Sequence, residues 1–389
     1  MFLKRVVLIL GLAVSLPYLR GPLYHFPAQT SFAGPKFLNP YAGLRETWQR
    51  ANLHAHGRAW SGLTNGRQSD DQIVRAYTSF GYTVAGVSNY QRIAAFGEVP
   101  TLPLYEHGYN LGKRHQLAIG AHRVAWFDFP LWQSLSHKQF VIDRVASTAE
   151  LVAIAHPSSR EAYTLEDLRQ LTGYQLLEVV NGPFLFEGPW DAALSAGRAV
   201  WALGNDDTHD LADPRRTGMA WTMINATTPS AGDIIDALRT GRAYAVSRTN
   251  DTASAIETVV GSVTFSNATL AVSCVGEPST FLFVGQDGAI RKTVKHAMSA
   301  AYTFRGEDTY IRTVIQSPRT AMYLNPVLRY DGSRLPAPAA TVDPGRTWLL
   351  RGTVALAGAA LFLIYRDRRP PVVASSPVAV LTPANRKTA

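Results

Sequence analysis

Strand-like and helix-like segments alternate through residues 45–250, and this alternation is compatible with only a few folds. Short apolar runs typical of buried strands lie at 83–88, 151–157, 175–182 and 199–207. Stretches typical of helices lie at 71–82, 164–173, 189–197 and 232–241. Thr164 stands three residues before Asp167, the arrangement of a capped helix start. Because strands that alternate with helices usually pair in parallel, we expect an α/β sandwich or a barrel.

Residues 251–335 have a different pattern, with short β-rich segments separated by Gly, Asn and Asp. We expect a small all-β, sandwich-like domain there, following an α/β domain over residues 45–250. We expect a Pro- and Ala-rich linker at 336–347 and a disordered tail at 367–389.

Both ends of the chain combine an apolar run with basic residues. Lys4 and Arg5 precede an apolar run within residues 1–21, which predicts a signal peptide or signal anchor; no clear small-residue cleavage site follows, which favours the anchor. Residues 348–366 approach the roughly 17–25 apolar residues that cross a bilayer, and we expect a transmembrane helix there rather than a buried one. Arginines follow this run. The positive-inside rule then places both termini in the cytoplasm and the rest outside, in the periplasm if the source is bacterial.

The net charge of +9 does not indicate nucleic-acid binding. Part of the excess lies in the terminal segments, and no basic helix, zinc finger or aromatic nucleotide-binding signature accompanies it. Cys274 is the single cysteine, which excludes an internal disulfide framework and a multi-cysteine zinc site. We therefore do not expect a nucleic acid as a partner.

Most of the histidines stand near predicted strand ends. Eight of the ten lie between His54 and His209. His54 and His56 are two residues apart, so on a strand both side chains point to one face. His156 ends "LVAIAH", and Asp207 and His209 end "WALGNDDTH". A single histidine at a strand end is more often structural, but in a parallel β/α barrel all strand carboxyl ends open onto one face. Several strand ends carrying ligand-type side chains therefore indicate a metal site.

In this order, "NLHAH", a later Glu, "IAHP" and "GNDDTHD" resemble the PHP superfamily, named for polymerase and histidinol phosphatase domains. The resemblance covers about residues 50–225. It implies a distorted seven-stranded β/α barrel and a metal-dependent hydrolase, most often a phosphoesterase that acts on small molecules. The later stretch "YIRTVIQS…NPV" looks like the β-rich tail of some hydrolase-like members.

Carried over to this sequence, the resemblance implies two divalent metal ions, which could be zinc, manganese or iron given mixed nitrogen and oxygen ligands. Their ligands would be His54, His56, Glu106, His115, His156 and Asp207. Glu106, in "LYEHGYN", would bridge the two ions, and Asp206 is the alternative to Asp207.

The family's third metal position is altered in this chain. Asn65 and Tyr90 stand where the family pattern has an aspartate and a histidine, and an amide and a phenol are poor ligands for such an ion. We expect a weak or absent third ion unless Asn89 or water substitutes. His209, released from that site, would act as general acid to the leaving group or would orient Asp207.

Arg216 and Arg160 are the candidates for binding substrate phosphate, with Arg215 beside them; a solvated loop charge is the alternative for each. We expect the aromatic residues between Trp126 and Trp132 to pack against the barrel rather than line the pocket.

Three functions fit these patterns. The first is a membrane-anchored phosphoesterase outside the cytoplasm. The second is a non-catalytic binding module whose metal site is degraded. The third is an amide or carbamate hydrolase that uses the same site on a different electrophile.

Overall fold

The computed structural model describes residues 6, 14–94, 102–249, 256–333, 335 and 337–367. The helices are α1 (14–20), α2 (Asp70–Ser79), α3 (Leu135–Ala146), α4 (Leu165–Gln170), α5 (Glu187–Ser195), α6 (Ala231–Arg239) and α7 (Pro344–Asp367). The strands are β1 (Tyr24–His25), β2 (Lys36–Leu38), β3 (Gln49–Asn52), β4 (Val84–Ala85), β5 (Leu104–His107), β6 (Gln116–Ile119), β7 (Leu151–Ile154), β8 (Leu176–Asn181), β9 (Phe184–Leu185), β10 (Trp201–Asn205), β11 (Ala220–Ile224), β12 (Ala243–Arg248), β13 (Val259–Ser266), β14 (Thr269–Val275), β15 (Ser279–Val284), β16 (Ile290–Ala297), β17 (Ser299–Thr303), β18 (Tyr310–Gln316), β19 (Thr320–Tyr330) and β20 (Thr341–Val342).

Hydroxyl side chains fix where several helices begin. The Thr164 hydroxyl accepts from the Asp167 backbone N–H and the Asp167 carboxylate accepts from the Thr164 N–H, so the predicted cap of α4 is present. Ser69 and Gln72 form the same reciprocal pair at α2. Such a pair satisfies two N–H groups that a helix start otherwise leaves without partners.

One sheet has the strand order β10-β8-β7-β6-β5, with β9 paired to β8. β7, β8 and β10 are parallel, and α4 and α5 lie in the connections between them, as the alternation of segments predicts. β5, β6 and β7 pair antiparallel instead. Every residue of β7 and β8 is buried, which matches their near-continuous apolar sequence.

A second sheet has nine strands in the order β16-β15-β18-β19-β12-β11-β3-β4, with β2 paired to β19. β12 pairs antiparallel with β19, so strands from the β-rich part of the sequence continue a sheet that begins in the α/β part. β13, β14 and β17 form a separate three-stranded sheet. The predicted domain boundaries at 250/251 and 335/336 stay predictions.

The first two sheets meet through two isolated parallel bridges. Tyr90, beyond β4, pairs with Glu106 of β5, and Ala55, beyond β3, pairs with Thr208 after β10. Within the described residues the ladders do not close into a barrel, so the molecule is a mixed α/β protein with several sheets and the seven-stranded barrel stays a prediction.

A buried ion cluster fastens β18 to α5. The Arg312 guanidinium donates to both carboxylate oxygens of Asp191 at 2.7 Å and to Glu187 at 2.7 Å. Trp190, beside Asp191, is buried and donates its indole N–H to the Val200 carbonyl. These contacts join the β-rich segment to the α/β segment.

α7 belongs to a second structural unit that starts at Pro344. By length and composition alone, residues Pro344–Ile364 are apolar enough to cross a membrane. In the predicted N-terminal anchor, residues 1–5 and 7–13 lie outside the described residues, and so do residues 368–389 of the predicted tail.

Candidate metal centre

The pair of histidines after β3 lies at the centre of a buried cluster. Their Nε2 atoms are 3.1 Å apart, and both side chains are buried. Asp207 Oδ1 lies 3.2 Å from His54 Nε2 and 3.3 Å from His56 Nε2. Backbone hydrogen bonds hold the two segments side by side: the Asp207 N–H donates to the His54 carbonyl, and the His56 N–H donates to the Thr208 carbonyl. The strand-end pairing thus brings the two predicted motifs together.

Glu106, on β5, contacts four imidazoles. Its Oε1 lies 2.7 Å from His115 Nδ1, 3.0 Å from His156 Nε2 and 3.4 Å from His54 Nε2. Its Oε2 lies 3.1 Å from His56 Nε2. A carboxylate placed between two pairs of imidazoles in this way could bridge two cations.

Two residues of the cluster have left-handed backbone conformations. His156, just after β7, has a φ of +28°, and Asp207, just after β10, has a φ of +50°. Non-glycine residues rarely adopt positive φ, and such strain concentrates at functional sites. In both cases the bend turns a side chain into the cluster at the point where the strand ends.

His209 lies at the solvent side of the cluster. Its ring stacks on His56 with centroids 4.3 Å apart, and its Nε2 is 3.4 Å from Asp207 Oδ1. The side chain is 25% exposed and lines an open cleft of about 610 Å³, with Asn65 and Arg67. Burial lowers the pKa of His209, although the nearby Asp207 carboxylate opposes this.

Several polar atoms of the cluster have no hydrogen-bond partner. Glu106 Oε2 and Asp207 Oδ1 are buried and accept no hydrogen bond of good geometry, and the same holds for Nδ1 of His56 and His156. Buried carboxylate oxygens without a donor are costly unless a cation faces them. Groups of three within coordination reach of a common point are His54–His56–Glu106, His54–His156–Asp207, His56–Asp207–His209 and Glu106–His115–His156. Imidazole nitrogen and carboxylate oxygen form a donor set that suits zinc, manganese or iron, so these residues fit a metal ion.

The imidazoles of the cluster lower the pKa of both carboxylates. Burial alone raises the pKa of Glu106, but His115 and His54 reverse this and hold it well below its ordinary value. Burial raises the pKa of Asp207 as well, and His54 and His209 reverse that. Both carboxylates are therefore anionic at neutral pH.

Sequence reasoning missed Glu178, which lies in the middle of β8. One carboxylate oxygen accepts from His54 Nδ1 at 2.8 Å and from Asn205 Nδ2 at 2.9 Å. The other accepts from the His156 backbone N–H at 2.8 Å and from Asn181 Nδ2 at 2.9 Å. Glu178 thereby assigns the His54 proton to Nδ1 and leaves Nε2 free to face Glu106 and Asp207. A lone Glu within the apolar strand "LLEVVN" was the available signal.

The structure separates Asp207 from its sequence alternative, Asp206. The Asp206 carboxylate accepts from the Tyr77 hydroxyl and from the backbone N–H groups of Gly218, Met219 and Ala220 at 2.6–2.8 Å. The Asp206 carboxylate is thus occupied by hydrogen bonds from protein groups, and Asp207 is the aspartate that faces the cluster.

The side chains at the altered third position have different surroundings. Asn65 is exposed, and the Asn89 side chain bonds the Gly57 N–H and the Asp70 carboxylate. The Tyr90 ring stacks on His56 with centroids 4.3 Å apart. Burial and the charge of Glu106 raise the pKa of its phenol, which stays neutral.

The predicted cationic residues differ in their relation to the cluster. Arg216 donates to the Asn181 side chain at 3.2 Å, and Asn181 in turn donates to Glu178. Arg160 is exposed and donates to the Leu111 carbonyl at 3.5 Å. Arg215 is exposed and pairs with Asp213. Of the three, Arg216 is linked to the cluster through hydrogen bonds.

Comparison with known proteins gives little similarity. No family model matches the chain, and no curated protein matches it. Among solved structures, it is similar to a two-domain protein from Bacteroides vulgatus ATCC 8482 that contains a predicted PHP-like metal-dependent phosphoesterase. The two are 14% identical, the match covers 74% of this chain and 95% of that chain, and the TM-score is 0.40. A likeness at this level defines neither the fold nor the function of this chain.

Proposed function

We propose that the chain is a metal-dependent hydrolase of the PHP type, acting as a phosphoesterase. One observation carries the proposal: two anionic carboxylates, Glu106 and Asp207, have buried oxygens without hydrogen-bond donors and face five imidazoles from separate segments. Such a set has little structural use without a cation, and buried titratable groups of this kind cluster at functional sites.

The proposed ligands divide into two sets that share Glu106. His54, His56 and Asp207 would hold one ion with Glu106, and His115 and His156 would hold the other. The contacts of 2.7–3.4 Å around both Glu106 oxygens support this division. Such ions, when bound, would lower the pKa of a bound water toward neutrality and would offset charge on the phosphoryl oxygens.

The chain's own side chains have separate tasks in this proposal. Glu178 holds His54 with Nε2 directed at the carboxylates. His209, next to Asp207 and partly open to the cleft, gives a proton to the leaving group or orients Asp207. Arg216 is the proposed phosphate-binding residue, with Arg160 as a weaker candidate.

We extend the proposal to the fold and the location. The bridges Tyr90–Glu106 and Ala55–Thr208 support a distorted barrel of seven strands, namely β3, β4, β5, β6, β7, β8 and β10. The length and apolar composition of α7 support membrane attachment, with the hydrolase domain outside the cytoplasm and both termini inside.

Hydrolysis by the metal-depleted and reloaded chain tests the proposal. Full-length protein in mild detergent is treated with a chelator, reloaded with Mn²⁺, Zn²⁺ or Fe²⁺, and given phosphoesters, amides and carbamates. We expect phosphoester hydrolysis only after reloading, and its loss in His54→Ala and Asp207→Ala. His122→Ala, which changes an exposed histidine, is the matched control and keeps activity.

Three results would reject the phosphoesterase. Full activity of the chelated protein would exclude a metal-dependent reaction. Hydrolysis of amides or carbamates but not of phosphoesters would show that the same site acts on a carbonyl carbon rather than on phosphorus. Metal binding without turnover of any substrate class would leave a binding module.

A further inference from the structure

An indole is fixed beside the cluster by a bond to the backbone of Tyr90. Trp60 donates its Nε1–H to the Tyr90 carbonyl at 2.8 Å, and the Tyr90 ring lies on His56. Trp60 has a φ of +52° and the next residue, Ser61, a φ of +55°. Two successive non-glycine residues with positive φ are strained, so the turn holds the indole in place at an energetic cost.

Two further aromatic side chains extend this surface. Trp126 meets Trp60 edge-to-face with centroids 5.9 Å apart, and Tyr109 donates its hydroxyl to the Trp126 carbonyl at 3.2 Å. Trp60 is 43% exposed, Tyr109 52% and Trp126 60%. We call Trp60, Tyr109 and Trp126 the aromatic rim.

Two other aromatic side chains of the same loop lie outside the rim. Phe129 is fully buried and stacks on His137, whereas Trp132 is exposed and stacks on Tyr18 with centroids 4.3 Å apart. The packing expected for this loop therefore holds for Phe129, while Trp126 leaves most of its surface open next to Trp60.

We propose that the aromatic rim binds a planar aromatic group of the substrate, so that the enzyme prefers phosphoesters whose alcohol portion carries a planar aromatic ring. The inference rests on the proposed phosphoesterase function. Trp60 contacts Tyr90 and Tyr90 contacts His56, so one residue, Tyr90, separates the rim from the proposed ligand His56. Offset stacking and edge contacts favour a planar ring over an alkyl chain of equal size.

The corresponding reaction is a balanced hydrolysis. Water forms the new bond to phosphorus, the bond between phosphorus and the oxygen of the ring-bearing alcohol breaks, and that oxygen leaves with a proton. The rim takes no part in bond making and acts as a specificity element.

Binding of two non-hydrolysable phosphonates tests the rim. Benzylphosphonate and butylphosphonate carry the same charged group, and their affinities for the metal-loaded full-length chain are measured by calorimetry. We expect about tenfold tighter binding of benzylphosphonate, the usual effect of one stacked ring. Trp60→Ala and Trp126→Ala should remove the difference, and Trp132→Ala, an exposed tryptophan outside the rim, should keep it.

Hydrolysis rates identify the kind of ring and provide a second readout. The ratio of kcat/KM for phenyl phosphate over butyl phosphate reports a simple aryl group, and the ratio for AMP over ribose 5-phosphate reports a nucleobase. We expect at least one ratio to exceed about ten and to fall in Trp126→Ala, which keeps the backbone carbonyl that accepts from the Tyr109 hydroxyl.

Several outcomes would overturn the inference. Equal affinity for both phosphonates, with phosphoester hydrolysis intact and no aromatic preference, would reject the rim alone. An equal loss in Trp132→Ala would show a non-local effect and reject it too. Tryptophan emission in the presence of phosphatidylcholine nanodiscs tests whether the rim binds lipid instead. If the emission of the wild-type protein shifts to the blue and Trp60→Ala abolishes that shift, the rim contacts lipid and the inference is wrong. Absence of any hydrolysis would reject the proposed function together with the inference.

Discussion

At the scale of single residues, Glu178 determines how His54 faces the cluster. Its carboxylate accepts from His54 Nδ1 and from three further donors, all buried. We expect Glu178→Gln to weaken metal binding about 10–100-fold, because the amide no longer fixes the histidine proton. Competition with a coloured chelator measures this. Glu46→Gln alters an exposed glutamate and serves as control; equal affinity of the two variants would contradict the role of Glu178.

His209 is the imidazole best placed to serve the leaving group. It is the exposed end of the stack on His56, and its Nδ1 has no partner. We expect His209→Ala to lower kcat about 10²–10⁴-fold on alkyl phosphates and much less on nitrophenyl phosphate, whose leaving group needs no proton. Metal content should persist. An equal loss on both substrates would assign His209 to the orientation of Asp207 instead.

At the scale of elements, the contact between α5 and β18 depends on one buried charge cluster. Arg312 and Asp191 are both largely buried, and removing one partner leaves the other charge uncompensated. We expect Asp191→Ala to lower the free energy of unfolding by about 3–5 kcal/mol in chemical denaturation. Asp236→Ala breaks an exposed pair with Arg242 and should cost about 1 kcal/mol or less. Similar losses in both variants would contradict the assignment.

Helix α3 contains a histidine whose titration affects stability. His137 accepts from the Ser134 N–H at the helix start and stacks on Phe129, and burial lowers its pKa to about 4. The unfolded chain has an ordinary histidine pKa near 6.5, so it binds the proton first as the pH falls. Stability is therefore complete above about pH 6.5 and declines toward pH 4.

A substitution separates this contribution from other acid effects. We expect His137→Gln to reduce the loss of unfolding free energy between pH 6.5 and 4, since Gln retains an acceptor and does not titrate. His122→Gln, at an exposed position, should leave the pH dependence as it is. Identical pH profiles for wild type and His137→Gln would contradict this account.

The elements differ in how far the sequence predicts them. The start of a helix such as α4 can be predicted from a Ser or Thr cap and an acidic residue three positions later, because capping is a local interaction. Glu106 lies on β5 and His115 directly precedes β6, but both strands are only four residues long and pair antiparallel. Strand direction and partners depend on contacts between distant segments, which local patterns do not encode.

At the scale of the whole molecule, the motif order predicted which histidines and carboxylates would converge. All six predicted ligand residues lie in one buried cluster, although their role as ligands stays a prediction. Glu178 had no motif to mark it, because its partners come from the segments after β3 and β7 and from β10, and meet only in the folded chain. Continuity of the β-rich segment with the larger sheet was equally invisible to local patterns.

Attachment to a membrane is a property of the whole chain. The apolar composition of α7 predicts that the full-length protein sediments with membranes and resists extraction by alkaline carbonate. A chain that ends at Asp343 and also lacks residues 1–21 should appear in the supernatant. Release of the full-length protein by carbonate would contradict a spanning helix.

The number of metal ions per chain tests the central claim most directly. Full-length protein is dialysed against limiting Mn²⁺ or Zn²⁺, and metal and protein are quantified by elemental analysis. The convergence of imidazoles on Glu106 predicts roughly two ions per chain, with loss of both in Glu106→Ala. A wild-type chain that retains no metal above the level of Glu106→Ala would contradict the account.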